Sequence, residues 1–278
     1  MHHHHHHHYH FIAGLPRTGS TLLAGILRQN PDFHADMSTP VAGFVTSLLE
    51  QMGAGSEFAS SISSAQRLNI CHGIWSGYYQ NVEKPIIFDT NRLWTAKLNI
   101  LNSLFGNDFK VICLVRNPAW IMDSFERVYR QNSLEFSRIY SPAARQNVYT
   151  RCEHIASNQG PFGSAWAALK EGFYGEFSDQ LLLIDYDLLV SKPEKSVALI
   201  YQFLGLPNFA HDFENVTYNA SEFDKNLGAD GLHTVKNKVA FTGRKTVLPP
   251  ELFKKYSDMA FWLEPQGSNA SLITQKTP

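Results

Sequence analysis

The residues that could do chemistry begin at Gly14-Leu15-Pro16-Arg17-Thr18-Gly19-Ser20-Thr21. An apolar run, Phe11-Ile12-Ala13, precedes this stretch, and Leu22, Leu23, Ile26 and Leu27 follow it at helical spacing. Strand, glycine loop, helix is therefore the local reading. The glycines let backbone N–H groups face one concave spot, and the helix N-terminus adds partial positive charge there. An anion, above all a phosphate, is the natural occupant.

The loop approaches the pattern G-x-x-x-x-G-K-[ST], but Ser20 occupies the lysine position and the cation, Arg17, comes earlier. In a nucleotide kinase that lysine neutralises the terminal phosphates, and a later strand supplies an acid for Mg²⁺. Here the later apolar run Val111-Ile112-Cys113-Leu114-Val115 ends in Arg116. Both departures favour a short phosphoanion held without metal. Ser124 lies eight positions after Arg116, on the expected next helix. A guanidinium and a hydroxyl near a helix start can hold a second phosphate. The two sites together predict a ligand with two separated phosphoanions.

The elements that must position these groups follow from periodicity. Ile86-Ile87-Phe88, Phe109 to Val115 and Leu181 to Ile184 read as further buried strands, alternating with helical stretches. The predicted architecture is α/β: a P-loop-like three-layer fold with a central parallel sheet flanked by helices. Ligands would bind at the carboxyl ends of the strands. Residues 32–40 read as loop, a last helix spans about 250–262, and the expected organisation is a single domain over 9–265 with a polar tail over 266–278. Residues 1–8, carrying seven of the 13 His, read as an affinity tag and stand outside the fold reasoning.

Composition narrows the function classes. The chain has 278 residues, 44% of them hydrophobic, enough for a substantial core. A formal net charge of −1 argues against a broad nucleic-acid surface. No apolar run reaches membrane-spanning length. The three cysteines, Cys71, Cys113 and Cys152, are scattered and odd in number, which fits a reducing, cytoplasmic setting rather than a disulfide framework.

Taken together, the residues resemble the sulfotransferase family, over about Phe11 to Leu206. Pro16-Arg17-Thr18-Gly19-Ser20-Thr21 is similar to that family's 5′-phosphosulfate loop. Val115-Arg116-Asn117-Pro118 with Ser124 is similar to its 3′-phosphate motif, and Leu183 to Leu189 with Phe203-Leu204-Gly205 to its later strand–helix signature. The resemblance leans toward bacterial members related to the protein-tyrosine branch. It implies 3′-phosphoadenosine 5′-phosphosulfate (PAPS) as sulfuryl donor, a hydroxyl acceptor, and no metal. Arg17 with the N–H groups of Thr18 to Thr21 would take the 5′-phosphate, and Arg116 with Ser124 the 3′-phosphate. Tyr186 is placed near the adenine or is an ordinary core tyrosine. Lys236, Lys238, Arg244 and Lys245 form a basic C-terminal cluster of the kind that family closes over its donor, with Lys236 and Arg244 the expected contacts.

The proton acceptor does not carry over. The protein-tyrosine branch uses a Glu in the loop after the first helix, where this chain has Asp36-Met37-Ser38-Thr39-Pro40; the cytosolic branch uses a Lys-Thr-His motif, where this chain has Asp89-Thr90-Asn91-Arg92. Asp89, at a strand's carboxyl end, is the first candidate base, or else a helix cap; Asp36 and His34 come next. Arg92 stands in for the lysine that steadies the moving sulfuryl group, or is an exposed helix-start arginine. The basic, aromatic stretch from Arg127 to Arg151 suggests an acidic peptide carrying the acceptor tyrosine. A small alcohol or phenol is the alternative, as are solvated helix faces there. Two rival functions also stand: a nucleotide-dependent kinase, and a binding module for adenosine phosphates without catalysis.

Overall fold

The computed structural model describes residues 6–216 and 245–274. Its central strands are those whose sequences are apolar on both faces, as strands covered by helices on both sides must be. Val111–Val115, for example, is buried at all five positions. Six strands form one parallel sheet in the order β2-β3-β1-β4-β5-β6. They are β1 (His8–Gly14), β2 (Phe33–Ala35), β3 (Ile86–Thr90), β4 (Val111–Val115), β5 (Leu181–Asp185) and β6 (Ser271–Ile273).

Alternation along each strand sends side chains into two core layers. Phe11, Val111, Cys113 and Leu183 pack beneath α2 (Val41–Gln51), α3 (Ser64–Tyr78), α4 (Leu98–Phe105), α5 (Pro118–Gln131), α6 (Val148–Ala156) and α7 (Pro161–Phe173). Ile12, Ile112, Leu114 and Leu182 face α1 (Ser20–Leu27), α8 (Tyr186–Ser191) and α9 (Pro193–Leu204). A final helix, α10 (Pro250–Ser257), lies on the first layer through Leu252 and Tyr256 and packs along α5. The predicted three-layer α/β architecture is the one observed.

Register decides what meets at the carboxyl edge. Ile12 pairs with Thr90, Gly14 with Leu114, and Val115 with Asp185. The strand order reverses at β1, between β3 and β4, the switch point where doubly wound sheets bind ligands.

Several boundaries differ from the sequence reading. β1 begins at His8, inside the histidine run, and its N–H donates to the Pro85 carbonyl at 2.8 Å. Phe33–Ala35, read as loop, is an edge strand: Phe33 and Ala35 are buried while His34 alternates outward. The segment read as a polar tail contributes β6, paired with β5 through Leu183 and Leu272. The last helix ends at Ser257, and Phe261–Leu263 forms a separate 3₁₀ turn.

Candidate active site

β1 hands over to α1 through a loop whose tight course depends on backbone freedom. Gly14 has φ +108°, and a Cβ there would stand 2.3 Å from the Leu114 carbonyl oxygen, so only glycine lets the loop leave beside β4. The Leu15 N–H donates to that same oxygen at 2.9 Å. Arg17 is left-handed at φ +58°, unusual for a non-glycine residue, and Gly19 follows at φ +87°. Strained backbone of this kind, costing about 1–3 kcal/mol per residue, persists where the surroundings hold it and clusters at ligand clamps. The Thr18 hydroxyl holds the bend by donating to the Leu15 carbonyl at 2.5 Å. Ser20 and Thr21 then open α1.

The second anchor comes from β4 and α5. Asn117 caps α5, accepting from the Ala119 N–H at 3.0 Å, with Pro118 at the first helical position. Ser124 sits about two turns past that cap. Its hydroxyl accepts from Arg17 Nε at 2.8 Å, so the two motifs, 107 positions apart in sequence, meet directly. Arg116, at the end of β4, is mostly buried. Its Nε has no hydrogen-bond partner among the described residues and pairs at 3.9 Å with the Asp187 carboxylate. Its guanidinium stands 4.4 Å above the Tyr186 ring. That ring also backs the loop, since a Cβ on Gly19 would fall 2.9 Å from it. Tyr186 thus links the two motifs, supporting Arg116 and filling the space beneath Gly19.

Arg17 and Arg116 therefore face one carboxyl edge, backed by loop N–H groups. Beside them Asp185 caps α8, and burial, reinforced by Asp187, pushes its carboxyl up to about 6.

A cleft opens beside the loop. Ser20, Thr21, Asp36, Ser38, Thr90 and Arg92 line it together with Ala13, Leu15 and Met37. Arg92 begins a 3₁₀ turn capped by the Asn91 side chain. Its guanidinium is largely withdrawn from water and donates to the Pro161 carbonyl at 3.5 Å; burial lowers its proton affinity. Asp36 is exposed at the cleft and accepts from the Met37 N–H at 3.0 Å.

Asp89, expected as the base, directly precedes Thr90 at the same strand end, but its carboxylate is enclosed. Its carboxylate is 0% exposed and accepts from Thr39 Oγ1 at 2.8 Å, Trp94 Nε1 at 2.8 Å and the Tyr79 hydroxyl. A general base must reach its proton directly or through one water. Asp89 instead ties the β2–α2 connection, α3 and the 3₁₀ turn to the end of β3. Burial still outweighs these three donors and raises its proton affinity. His34 is half-buried, edge-on to Tyr79, with its proton affinity lowered by burial.

The basic stretch also reads differently in three dimensions. Glu126, 2% exposed, is gripped by Arg151 at 2.6 and 2.9 Å and by Arg130 at 2.9 Å. Arg145 donates to the Tyr140 carbonyl, and Arg127 to the buried Asp123 at 2.9 Å. Of these arginines only Arg151 is buried; Arg127 and Arg145 are partly buried and Arg130 stays exposed while pairing with Glu126.

Sequence reasoning missed Asp123. Its other oxygen accepts from Thr246 Oγ1 at 2.9 Å and the Val247 N–H at 2.7 Å, pinning the returning C-terminal segment next to Ser124. Nothing in its spacing announces a partner more than a hundred residues away. Lys236, Lys238 and Arg244 lie outside the described residues; Lys245 is described, and its carbonyl accepts from Arg127.

Comparison with known proteins agrees with this geometry. No curated protein matches the chain significantly. Among solved structures, the sulfotransferase domain from the curacin biosynthetic pathway is 19% identical, with a TM-score of 0.51 and 91% of each chain covered. Mouse sulfotransferase SULT7A1, complexed with PAP, is 14% identical, with a TM-score of 0.52, covering 92% of this chain and 83% of that one. At such identities the likeness is one of fold. A family profile described as the sulfotransferase family matches residues 10–211, most of the chain and both anion motifs. The protein belongs to the sulfotransferase family.

Proposed function

We propose that the protein transfers a sulfuryl group from PAPS to a hydroxyl acceptor, without a metal ion. The observation that carries this reading is the hydrogen bond from Arg17 to Ser124, which joins two anion-binding motifs into one site for a donor with phosphates at both ends. Thr18 to Thr21 and Arg17 fit the 5′-phosphosulfate, and Arg116 with Ser124 fits the 3′-phosphate. Arg116 Nε makes no hydrogen bond among the described residues and has only a long ion pair to Asp187, so it can donate to a phosphate oxygen. Tyr186 acts as a positioning residue beneath Arg116, not as a free platform for the adenine.

The mechanism follows from charge. As the acceptor oxygen bonds to sulfur, the bond from sulfur to the bridging oxygen breaks, and that oxygen leaves carrying its electrons as phosphate. Arg17 and the loop N–H groups stand where this charge develops, which is where preorganised donors lower a barrier most. Arg92 faces the cleft with no carboxylate within ion-pair range among the described residues, suited to the sulfuryl oxygens in flight. The acceptor's proton passes to Asp36, an exposed carboxylate on the same cleft, rather than to buried Asp89. General-base catalysis contributes about 10²–10⁴-fold, so Asp36→Asn lowers kcat by that order while PAP affinity holds.

The test is calorimetric titration with adenosine 3′,5′-bisphosphate (PAP), with EDTA present, against ATP with Mg²⁺. Micromolar PAP binding that is lost in Arg17→Ala supports the reading. Preference for Mg-ATP would return the protein to the kinases. PAP binding without sulfuryl transfer to any of a broad set of alcohols and phenols would leave a binding module.

A further inference from the structure

Asp36 and Arg92 line the same cleft from two different elements, and a base and a cation can serve one transfer only at a fixed separation. Asp36 opens the connection from β2 to α2, directly after Ala35, which is buried and pairs with Phe88 of β3. Arg92 begins the 3₁₀ turn that follows β3. One side chain, that of Asn91, bridges the two.

Asn91 Oδ1 accepts from the Leu93 N–H at 2.9 Å, which caps the turn, while Nδ2 donates to the Thr39 carbonyl at 3.4 Å. The two ends of the amide cannot trade places, because Leu93 offers a hydrogen and the Thr39 carbonyl needs one. The Asn91 backbone N–H donates to the Ile12 carbonyl of β1 at 3.0 Å. A single residue thus touches the Arg92 turn, the Asp36 connection and the strand that leads into the phosphate loop. Thr39 is a firm point to hold. Its N–H donates to the Thr90 carbonyl at 3.0 Å, and its hydroxyl donates to Asp89 at 2.8 Å and accepts from the Val41 N–H at 3.3 Å. With Ala35 paired on one side and Thr39 tied on the other, only Asp36, Met37 and Ser38 lie between, and all three line the cleft.

We infer that Asn91 is a positioning residue: its amide sets Asp36 against Arg92 across the cleft. The inference rests on the sulfuryl-transfer reading above and on the roles given there to those two side chains. It has a chemical consequence. Misplacing a reacting group by about 1 Å costs about 10²-fold in rate, so the bond to Thr39 matters to turnover far more than to donor binding, which uses the opposite side of the loop through Arg17 and Arg116.

Two variants isolate that bond. Asn91→Ser keeps a cap acceptor but ends one bond short of the Thr39 carbonyl. Asn91→Asp keeps the cap and the length but has no hydrogen to donate. PAP release from PAPS is followed with 4-nitrophenol and with glycerol, and the faster acceptor serves for the variants, alongside calorimetry with PAP. The expected result is a kcat lower by at least about tenfold in both variants, with PAP affinity within about twofold of wild type. A double-mutant cycle supplies the readout that a general prop would not move. Added to Asp36→Asn, the Asn91→Ser change should cost less than about threefold, since no base is left to be aligned. An unchanged kcat, a PAP affinity that falls along with it, or a full loss repeated in the Asp36→Asn background would each overturn the assignment. No PAP release with either acceptor in a wild-type protein that binds PAP would instead overturn the sulfuryl-transfer reading, and this one with it.

Discussion

Replacing Asp89 separates an anchor from a base. In Asp89→Ala, three buried donors lose their acceptor together: Thr39 Oγ1, Trp94 Nε1 and the Tyr79 hydroxyl. At about 1–3 kcal/mol for each orphaned group, the sum is at least about 3 kcal/mol, before any cavity cost. A domain of this kind has only about 5–15 kcal/mol to lose. At about 2–4 °C per kcal/mol for a domain of this size, the melting temperature falls by about 6 °C or more. Asp89→Asn is milder. Its amide keeps one acceptor oxygen, relieves the buried charge, and can donate to the Thr39 and Tyr79 oxygens, so the loss is about 1–3 kcal/mol. Urea denaturation followed by tryptophan fluorescence reads both variants, since Trp94 is a direct partner and Trp75 stacks on it at 5.7 Å. The folded Asn variant keeps its PAP affinity and most of its turnover. A wild-type denaturation midpoint in Asp89→Ala would refute the anchor. So would an Asn variant of native stability whose kcat is down a hundredfold or more, which would restore Asp89 as the base.

Two further outcomes follow from buried charge. Glu126→Gln leaves Arg151 buried without its carboxylate, and denaturation should show a loss of about 3–5 kcal/mol with PAP affinity intact in the folded protein. His10, 3% exposed in β1, accepts the Lys110 N–H, and burial pushes its imidazole down to about 3. The unfolded imidazole takes up a proton below about 6.5 while the folded one does not, so stability present above that pH is lost on acidification at about 1.4 kcal/mol per pH unit. Asp185 works oppositely: its folded pKa of about 6 exceeds the ordinary 3.8, so its contribution is lost as pH rises through that window. Comparing wild type with His10→Gln between pH 4 and 6.5 isolates the imidazole, and the variant should be flatter by about one proton. Parallel stability–pH curves would contradict the assignment.

The sequence made the donor side of this site legible because its determinants are local. Gly14, Gly19 and the cap at Asn117 act within a few residues, and strands such as Val111–Val115 declare burial in an unbroken apolar run. The acceptor side was less legible because burial decides it. Asp89 and Asp36 are both carboxylates near strand ends, and only packing shows that Trp94, Tyr79 and Thr39 close over the first while the second faces the cleft. Arg151, on α6, reads as surface charge in sequence, and only packing brings it against Glu126 on α5. The two short edge strands, Phe33–Ala35 and Ser271–Ile273, carry too few residues for periodicity to register; long-range pairing with β3 and β5 makes them strands.

The central claim is that one site holds two phosphates, divided between Arg17 and Arg116. Calorimetry with PAP and with 5′-AMP, which lacks the 3′-phosphate, on wild type and Arg116→Ala tests it most directly. A charge-assisted contact worth about 2–3 kcal/mol predicts that wild type prefers PAP by about 30–100-fold or more. Arg116→Ala should erase that preference while leaving the affinity for 5′-AMP nearly unchanged. Equal binding of the two ligands by wild type, or a preference for PAP that survives Arg116→Ala, would contradict the account.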